Sequence, residues 1–295
     1  MQKSLLYRYT IYQRERFPLA ILVFTTLAVL LSSAAILYYN VTFIQMIVTF
    51  FAVLAYLFHM RVIDEKRDFN HDSQHHKSRP IQQGVITIEE LEKINIFGLM
   101  LFAMVAVAYG FSSIVIAVIT LIYTYLAGND FYMGEKIRKK FFFYNGMNMI
   151  QMILLQLFIY AVFTKSLNIN YTMWLHLFFV LTNTTIMEVV RKIKIKSEES
   201  SGYDTYSGRI GFNKSLIIFL LLTMFNYLLF LGLLYSLSRG FAIYLGISSP
   251  LILFLFISLL LHHRRQAKMS EKVLMLSTFV LYVGLNFIIY FFNRI

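Results

Sequence analysis

The sequence predicts an all-α integral membrane protein, a bundle of nine transmembrane helices with an active-site cavity on its cytoplasmic side. Three observations lead there. Of 295 residues, 58% are hydrophobic and the mean hydropathy is +0.65, well above the roughly 45–50% apolar share of soluble domains. The apolar residues gather into runs near the length of about 20 that a bilayer span requires. The basic residues then fall on alternate connections: of the 27 lysines and arginines, all but Lys165, Arg239 and Arg294 lie on one side of the predicted spans.

Taken in order, the first span, 18–38, is too long and too sparsely flanked by small residues for a cleaved signal peptide, and reads as a retained anchor. The second, 41–60, ends on an acidic run. Spans 95–111 and 113–127 are short and nearly continuous around Gly110, which predicts a tight hairpin. The fifth, 144–163, carries Asn145, Asn148, Gln151 and Gln156, side chains too costly to face lipid and therefore expected to point into the bundle. Spans 171–187, 215–237, 241–261 and 272–292 complete the set. With no soluble appendage and no low-complexity segment, residues 1–295 read as one integral domain.

The lopsided charge sets the orientation, because cytoplasmic loops retain Lys and Arg. The N-terminus is expected in the cytoplasm and the C-terminus on the opposite side of the cell (inner) membrane. The formal net charge of +12 is thus mainly a topology signal. Nucleic acid is a poor partner for basic residues spread over five short loops beside lipid, and no obligate protein partner is implied. The chain has no cysteine, which excludes disulfides, thiolate metal sites and cysteine nucleophiles.

Chemistry concentrates in two of the cytoplasmic loops. At the end of the second span the chain reads Asp64-Glu65-Lys66-Arg67-Asp68-Phe69-Asn70-His71-Asp72, followed by Lys77, Arg79-Pro80 and Gly84. Four-residue steps drift only about 40° on a helix, so Asp64, Asp68 and Asp72 share one broad face. Carboxylates so close repel one another unless a cation lies among them. Mg2+ takes oxygen ligands and is commonly shared with substrate phosphates. Against this stands the plainer reading of a solvated juxtamembrane helix whose acids pair with Lys66 and Arg67; the regular spacing at the mouth of a bundle favours the metal. His71 and His75 at i, i+4, with His76 following, invite a zinc site, but without a third well-spaced ligand they read as polar loop residues.

The second loop opens with Glu188-Val189-Val190-Arg191-Lys192 and continues through Glu198 and Glu199 to Gly202-Tyr203-Asp204-Thr205-Tyr206-Ser207-Gly208. Glu188 falls in the last turn of an apolar helix, where a carboxylate needs a hydrated cavity or a metal. Arg191 and Lys192 suit a pyrophosphate, Arg by its planar fork and Lys as a point charge, although topology alone accounts for most such cations. Asn129-Asp130-Phe131-Tyr132 lies on the same membrane face and can help to close a site.

Together the two loops resemble the paired Asp-rich motifs of the UbiA-type intramembrane prenyltransferases. That family's first motif is Asn-Asp-x-x-Asp-x-x-x-Asp, then Arg-Pro and a nearby Gly; here it stands as Asp64-Glu65-x-x-Asp68-x-x-x-Asp72, Arg79-Pro80 and Gly84. The second departs further: Gly202-x-x-Thr205 matches, while Glu188 and Glu199 replace aspartates. Nine spans with both motifs in the cytoplasm also fit, so the resemblance covers nearly the whole chain.

The resemblance implies a Mg2+-dependent prenyltransferase. Two Mg2+ ions held by Asp64, Asp68, Asp72 and Glu188 would bridge the diphosphate of an isoprenyl donor. Lys77, Arg79, Arg191 and Lys192 would neutralise the leaving group, with Asp204 and Tyr206 also binding substrate. The partners implied are an isoprenyl diphosphate, a lipid-soluble or aromatic acceptor and membrane lipid. A phosphorylated polyol or sugar acceptor stays open, as does a non-catalytic lipid-binding or transport protein. A CDP-alcohol phosphotransferase is not supported, because its Asp-Gly-x-x-Ala-Arg run is absent. The acids gather at one membrane face rather than at mid-span depth, which favours the enzyme over a transporter.

Overall fold

The structure, a computed structural model, describes residues 4–37, 41–199, 205–237 and 241–292. Its elements run in the order α1 (Leu5–Arg16), α2 (Leu19–Ile36), α3 (Phe43–His75), α4 (Ile88–Ala108), α5 (Phe111–Gly128), α6 (Glu135–Arg138), α7 (Phe141–Thr164), α8 (Tyr171–Arg191), α9 (Tyr206–Ile210), α10 (Phe212–Ser236), α11 (Phe241–Arg265) and α12 (Lys268–Phe292). No strand occurs among the described residues. Among the described residues nine helices, α2–α5, α7, α8 and α10–α12, are long and apolar enough to cross a membrane. The chain is thus an all-α, multi-pass membrane protein.

The helices divide into two compact units, one of residues 1–30 and 39–168, the other of residues 31–38 and 169–295. In the first unit α3 packs on α4, α5 and α7, and α5 packs on α4 and α7. In the second, α8 packs on α10 and α12, and α11 on α10 and α12. Each unit carries one of the two acidic loops.

Local chemistry explains where the helices begin and end. Thr42 and Gln45 form a capping box at the start of α3, and Thr87 and Glu90 form another at the start of α4. Each satisfies two N–H groups that have no partner within the helix. The second box, with Glu89 and Glu90 favouring the positive helix end, begins α4 seven residues before the predicted apolar run. α4 and α5 join through Tyr109 and Gly110, whose φ of +101° suits glycine. This is the predicted hairpin. Of the four amides in the fifth span, Gln151 and Gln156 are buried, while Asn145 and Asn148 are half-buried.

α3 departs most from expectation. The predicted apolar span ends at residue 60, and the helix continues through the acidic run to His75. At about 1.5 Å per residue its 33 residues reach roughly 50 Å, against a hydrocarbon core of about 30 Å. The acids therefore ride on a rigid, continuous extension of a membrane helix, in keeping with their helical spacing.

Candidate functional site

In the first unit, the sequence-predicted triplet separates into two clusters. Asp64 and Asp68 share Arg67, whose Nη2 lies 2.8 Å from Asp64 Oδ1 and whose Nε lies 3.0 Å from Asp68 Oδ1. The Arg67 side chain is 8% exposed, against 37% for Asp64 and 36% for Asp68. The two carboxylates are thus gripped from within and open outward. Tyr144 supports the arginine with its ring centroid 5.6 Å from the guanidinium carbon, a cation–π distance. The Tyr144 hydroxyl in turn donates to Asp130 Oδ1 at 3.0 Å.

Asp130 begins an unusual turn. Asp130, Phe131 and Tyr132 have φ of +50°, +54° and +57°, a left-handed run that costs non-glycine residues on the order of 1–3 kcal/mol each. Hydrogen bonds from Tyr132 N–H to the Asn129 carbonyl and from Met133 N–H to the Asp130 carbonyl, both 2.9 Å, hold it. The strained turn fixes Tyr144, and through it Arg67, by way of Asp130.

Asp72 belongs to the other cluster. It is buried, with the Arg79 guanidinium against its Oδ2 and Arg16 Nη2 3.6 Å from the same oxygen. Arg16 Nε also donates to Glu65 Oε1 at 2.9 Å, as does Arg61 Nε at 2.9 Å. Seven helical residues return to within about 20° of the starting direction, so Glu65 and Asp72 share a face more closely than Asp64 and Asp72 do. Burial, and then the neighbouring Arg61 charge, lower the Arg16 pKa, and Glu65 opposes both. Burial, followed by the Glu65 charge, raises the Tyr12 hydroxyl above the usual tyrosine range.

The connection to α4 explains Arg79-Pro80 and Gly84. His76 N–H donates to the Asp72 carbonyl at 2.8 Å, Gln83 N–H to Arg79 at 2.9 Å and Val85 N–H to Pro80 at 2.8 Å. Gly84 closes this compact turn at φ +68°. Ile81 and Ile86 anchor it in a core with Tyr12, Phe17, Phe58, Val62 and Leu91. Arg8 reaches Glu90 with a two-pronged contact of 2.7 and 2.6 Å, so α1 is pinned against α4. Lys77 is exposed on the turn. Lys66 turns to Glu92 instead of the aspartates.

In the second unit, Glu188 accepts from Arg191 Nη2 at 2.6 Å and from Lys192 Nζ at 2.8 Å. Its side chain is largely covered, while that of Arg191 is 56% exposed. Tyr206 N–H donates to the Lys192 carbonyl at 2.9 Å, which brings Tyr206 toward Glu188. Burial and then the Glu188 charge push the Tyr206 hydroxyl up to about 12. The Thr205 hydroxyl caps α9, accepting from Gly208 N–H at 3.0 Å, and donates to Glu199 Oε2. Glu199 therefore serves the turn. A Cβ on Gly208 would lie 2.8 Å from Thr205 Oγ1 and 3.0 Å from Glu199 Oε2, so this turn closes only around glycine. Asp204, Gly202 and Tyr203 lie outside the described residues.

Sequence reasoning assigned no role to Arg16, Arg61, Tyr144 or Tyr12. Arg16 and Arg61 looked like topology charges, and only the docking of α1 brings Arg16 to the acids. The seven-residue interval between Glu65 and Asp72 was the available signal.

The sequence profile of the UbiA prenyltransferase family matches residues 21–282. No curated protein sequence matches the chain. Among solved structures, a UbiA homolog from Aeropyrum pernix K1 in its apo form is similar with a TM-score of 0.66 and 12% identity, over 90% of this chain and 96% of that one. A UbiA homolog from Archaeoglobus fulgidus bound to DMAPP and Mg2+ is similar with a TM-score of 0.56 and 14% identity, over 95% and 98%. A structure described for digeranylgeranylglyceryl phosphate synthase in membranes is similar with a TM-score of 0.55 and 17% identity, over 94% and 98%.

Proposed function

The chain belongs to the UbiA prenyltransferase family, and from that premise we propose that it transfers an isoprenyl group from an isoprenyl diphosphate to a lipid-soluble, aromatic acceptor in a Mg2+-dependent reaction. The observation that carries this reading is the pair Asp64 and Asp68. They stand at the end of a membrane helix, share one nearly buried arginine and remain more than a third exposed. All-oxygen donors of this kind fit a hard divalent cation, and a UbiA homolog from Archaeoglobus fulgidus is bound to DMAPP and Mg2+.

In this reading Asp64 and Asp68 hold metal in the first unit, and Asp72 offers its Oδ1. Glu188 does the same in the second unit. Bound Mg2+ supplies electrostatic stabilisation of the diphosphate as its C–O bond breaks. Arg67 limits the repulsion between Asp64 and Asp68 and keeps both side chains aimed outward. Arg79 and Lys77 grip diphosphate oxygens on one loop, and Arg191 and Lys192 on the other, each countering negative charge that grows in the transition state. Asp204 and Tyr206 contact substrate; the hydroxyl of Tyr206, held protonated across the working pH range, acts as a donor. The apolar helices exclude water from the cation formed. The loops face the cytoplasm from the inner membrane.

A phosphorylated polyol acceptor is the second reading. It is favoured by the exposed Arg191 and by the fold shared with digeranylgeranylglyceryl phosphate synthase.

The test incubates purified protein with labelled isoprenyl diphosphates, Mg2+ and a host lipid extract, and identifies the labelled product. Asp68→Asn is expected to lower turnover by about 100-fold or more, in the range found when one transition-state-stabilising group is removed, with the melting midpoint preserved. Undiminished turnover would sink the metal clamp. In parallel, an isoprenyl diphosphate is expected to raise the melting midpoint only with Mg2+ present. Equal stabilisation in EDTA would instead indicate a lipid-binding or transport protein.

A further inference from the structure

We infer that Glu271, in the first turn of α12, is a positioning residue for the donor-binding segment of the second unit: through Lys194 it sets where Lys192 and Tyr206 stand. This role rests on the prenyl-transfer reading, in which Lys192 grips the diphosphate and Tyr206 donates to substrate. α8 ends at Arg191, and the chain beyond it is held by contacts from other elements. Tyr206 N–H donates to the Lys192 carbonyl at 2.9 Å, and Lys194 N–H donates to Ser207 Oγ at 2.7 Å. These two bonds staple residues 192–194 to the start of α9. Ile193 and Ile195 are buried on either side of Lys194. The Lys194 ammonium then donates to Glu271 Oε1, which ties the stapled segment to α12.

Stability does not account for Glu271. Its side chain is only 10% exposed, and among the described residues its Oε2 is buried with no hydrogen-bond partner. A buried ion pair offsets its desolvation only when the remaining lone pairs are also satisfied, and here one oxygen is not. Helix polarity favours an acid anywhere in the first turn of α12, but an exposed position would gain that without desolvation. The turn that carries Glu271 is itself locked. Ser270 Oγ donates to the Ala267 carbonyl at 2.7 Å, accepts from Ala267 N–H at 3.2 Å and lies 3.0 Å from Nδ1 of the buried His262. The start of α12 is thereby joined to the last turn of α11. A carboxylate on a locked turn, paired with one lysine of a segment that has left its helix, is suited to set that segment's place. Lys268 and Glu198 also pair between α12 and this segment, at 3.3 Å, but with side chains 66% and 40% exposed they contribute little.

The test uses full-length protein in detergent. Replacing both partners of a buried ion pair by apolar side chains is often neutral or stabilising, so Lys194→Met/Glu271→Leu separates holding the fold from placing the segment. This double variant is expected to melt at or above the parent midpoint. It is also expected to lower kcat/KM for an isoprenyl diphosphate by about 10-fold or more, since a misplacement of about 1 Å can cost about 100-fold. The near-isosteric Glu271→Gln is expected to show the same kinetic loss, and Lys268→Ala to match the parent. A spin label on Ser197→Cys, at an exposed position in a chain without cysteine, reads the segment without activity. Its spectrum is expected to be broad in the parent and sharper in both Glu271 variants. Parent kinetics in those variants, an unchanged label spectrum, or an equal loss in Lys268→Ala would each overturn the positioning role. So would a kinetic loss that only follows a lowered melting midpoint in both variants. A parent that neither turns over nor binds an isoprenyl diphosphate would end the prenyl-transfer reading, and the positioning role with it.

Discussion

Glu65 illustrates how one carboxylate can hold a structure while its neighbours stay available for chemistry. It is 2% exposed and faces Arg16, Arg61 and Tyr12. Removing it would leave two guanidinium groups packed together in a partly buried space, and breaking such a pair from one side costs about 3–5 kcal/mol. Asp64 is 37% exposed, where an ion pair contributes only about 0–1 kcal/mol. Glu65→Ala is therefore expected to lower the melting midpoint sharply and Asp64→Ala hardly at all, as followed by thermal unfolding in detergent. Equal losses would refute the division of labour between the two clusters. The acids themselves were legible in the sequence, as were Arg79-Pro80 and Gly84. Their partition was not: counting four-residue steps groups Asp64, Asp68 and Asp72, while the drift accumulated over two steps turns Asp72 toward Glu65. Arg16 was hidden for another reason. A basic residue before a membrane span looks the same whether it sets topology or reaches into a cluster from a docked helix.

At the level of elements, helix ends carry information that hydropathy misses. Apolar runs located the nine spans found among the described residues, because the bilayer selects on length and composition. They mark only the membrane part of α3, whose polar end runs 15 residues past the predicted span; the four-residue spacing of the acids, not hydropathy, is what reads as helix there. They could not reveal Gln45 either, a capping-box residue whose Nε2 also donates to the Val162 carbonyl at 2.6 Å and the Phe163 carbonyl at 3.2 Å. Those carbonyls lie in the last turn of α7, where no intrahelical N–H reaches them. Gln45 thus ties the start of α3 to the end of α7. Gln45→Leu would leave them buried without a donor, at a cost of about 1–3 kcal/mol. Its melting midpoint is expected to fall while Mg2+-dependent donor binding, at the other end of α3, keeps its affinity. Loss of donor binding with no loss of stability would show that Gln45 does something other than join two helix ends.

For the whole molecule, the charge asymmetry makes a prediction that the cysteine-free sequence is well suited to test. Transmembrane orientation follows the lysines and arginines near span ends, so the α3–α4 turn is expected in the cytoplasm and the α7–α8 connection outside. Ser78 and Asn168 are both exposed, and the chain has no cysteine of its own. A single cysteine at either position is therefore the sole thiol. In intact cells a membrane-impermeant maleimide is expected to label Asn168→Cys and to spare Ser78→Cys until the membrane is opened. The reverse pattern would put both acidic loops outside the cell, away from cytoplasmic isoprenyl diphosphates, and would remove the functional reading along with the orientation. Labelling of both in intact cells would mean that the segments between them do not cross the membrane an odd number of times. Helices α4, α5 and α7 supply three crossings between these positions, so the experiment tests the span count and the charge rule together.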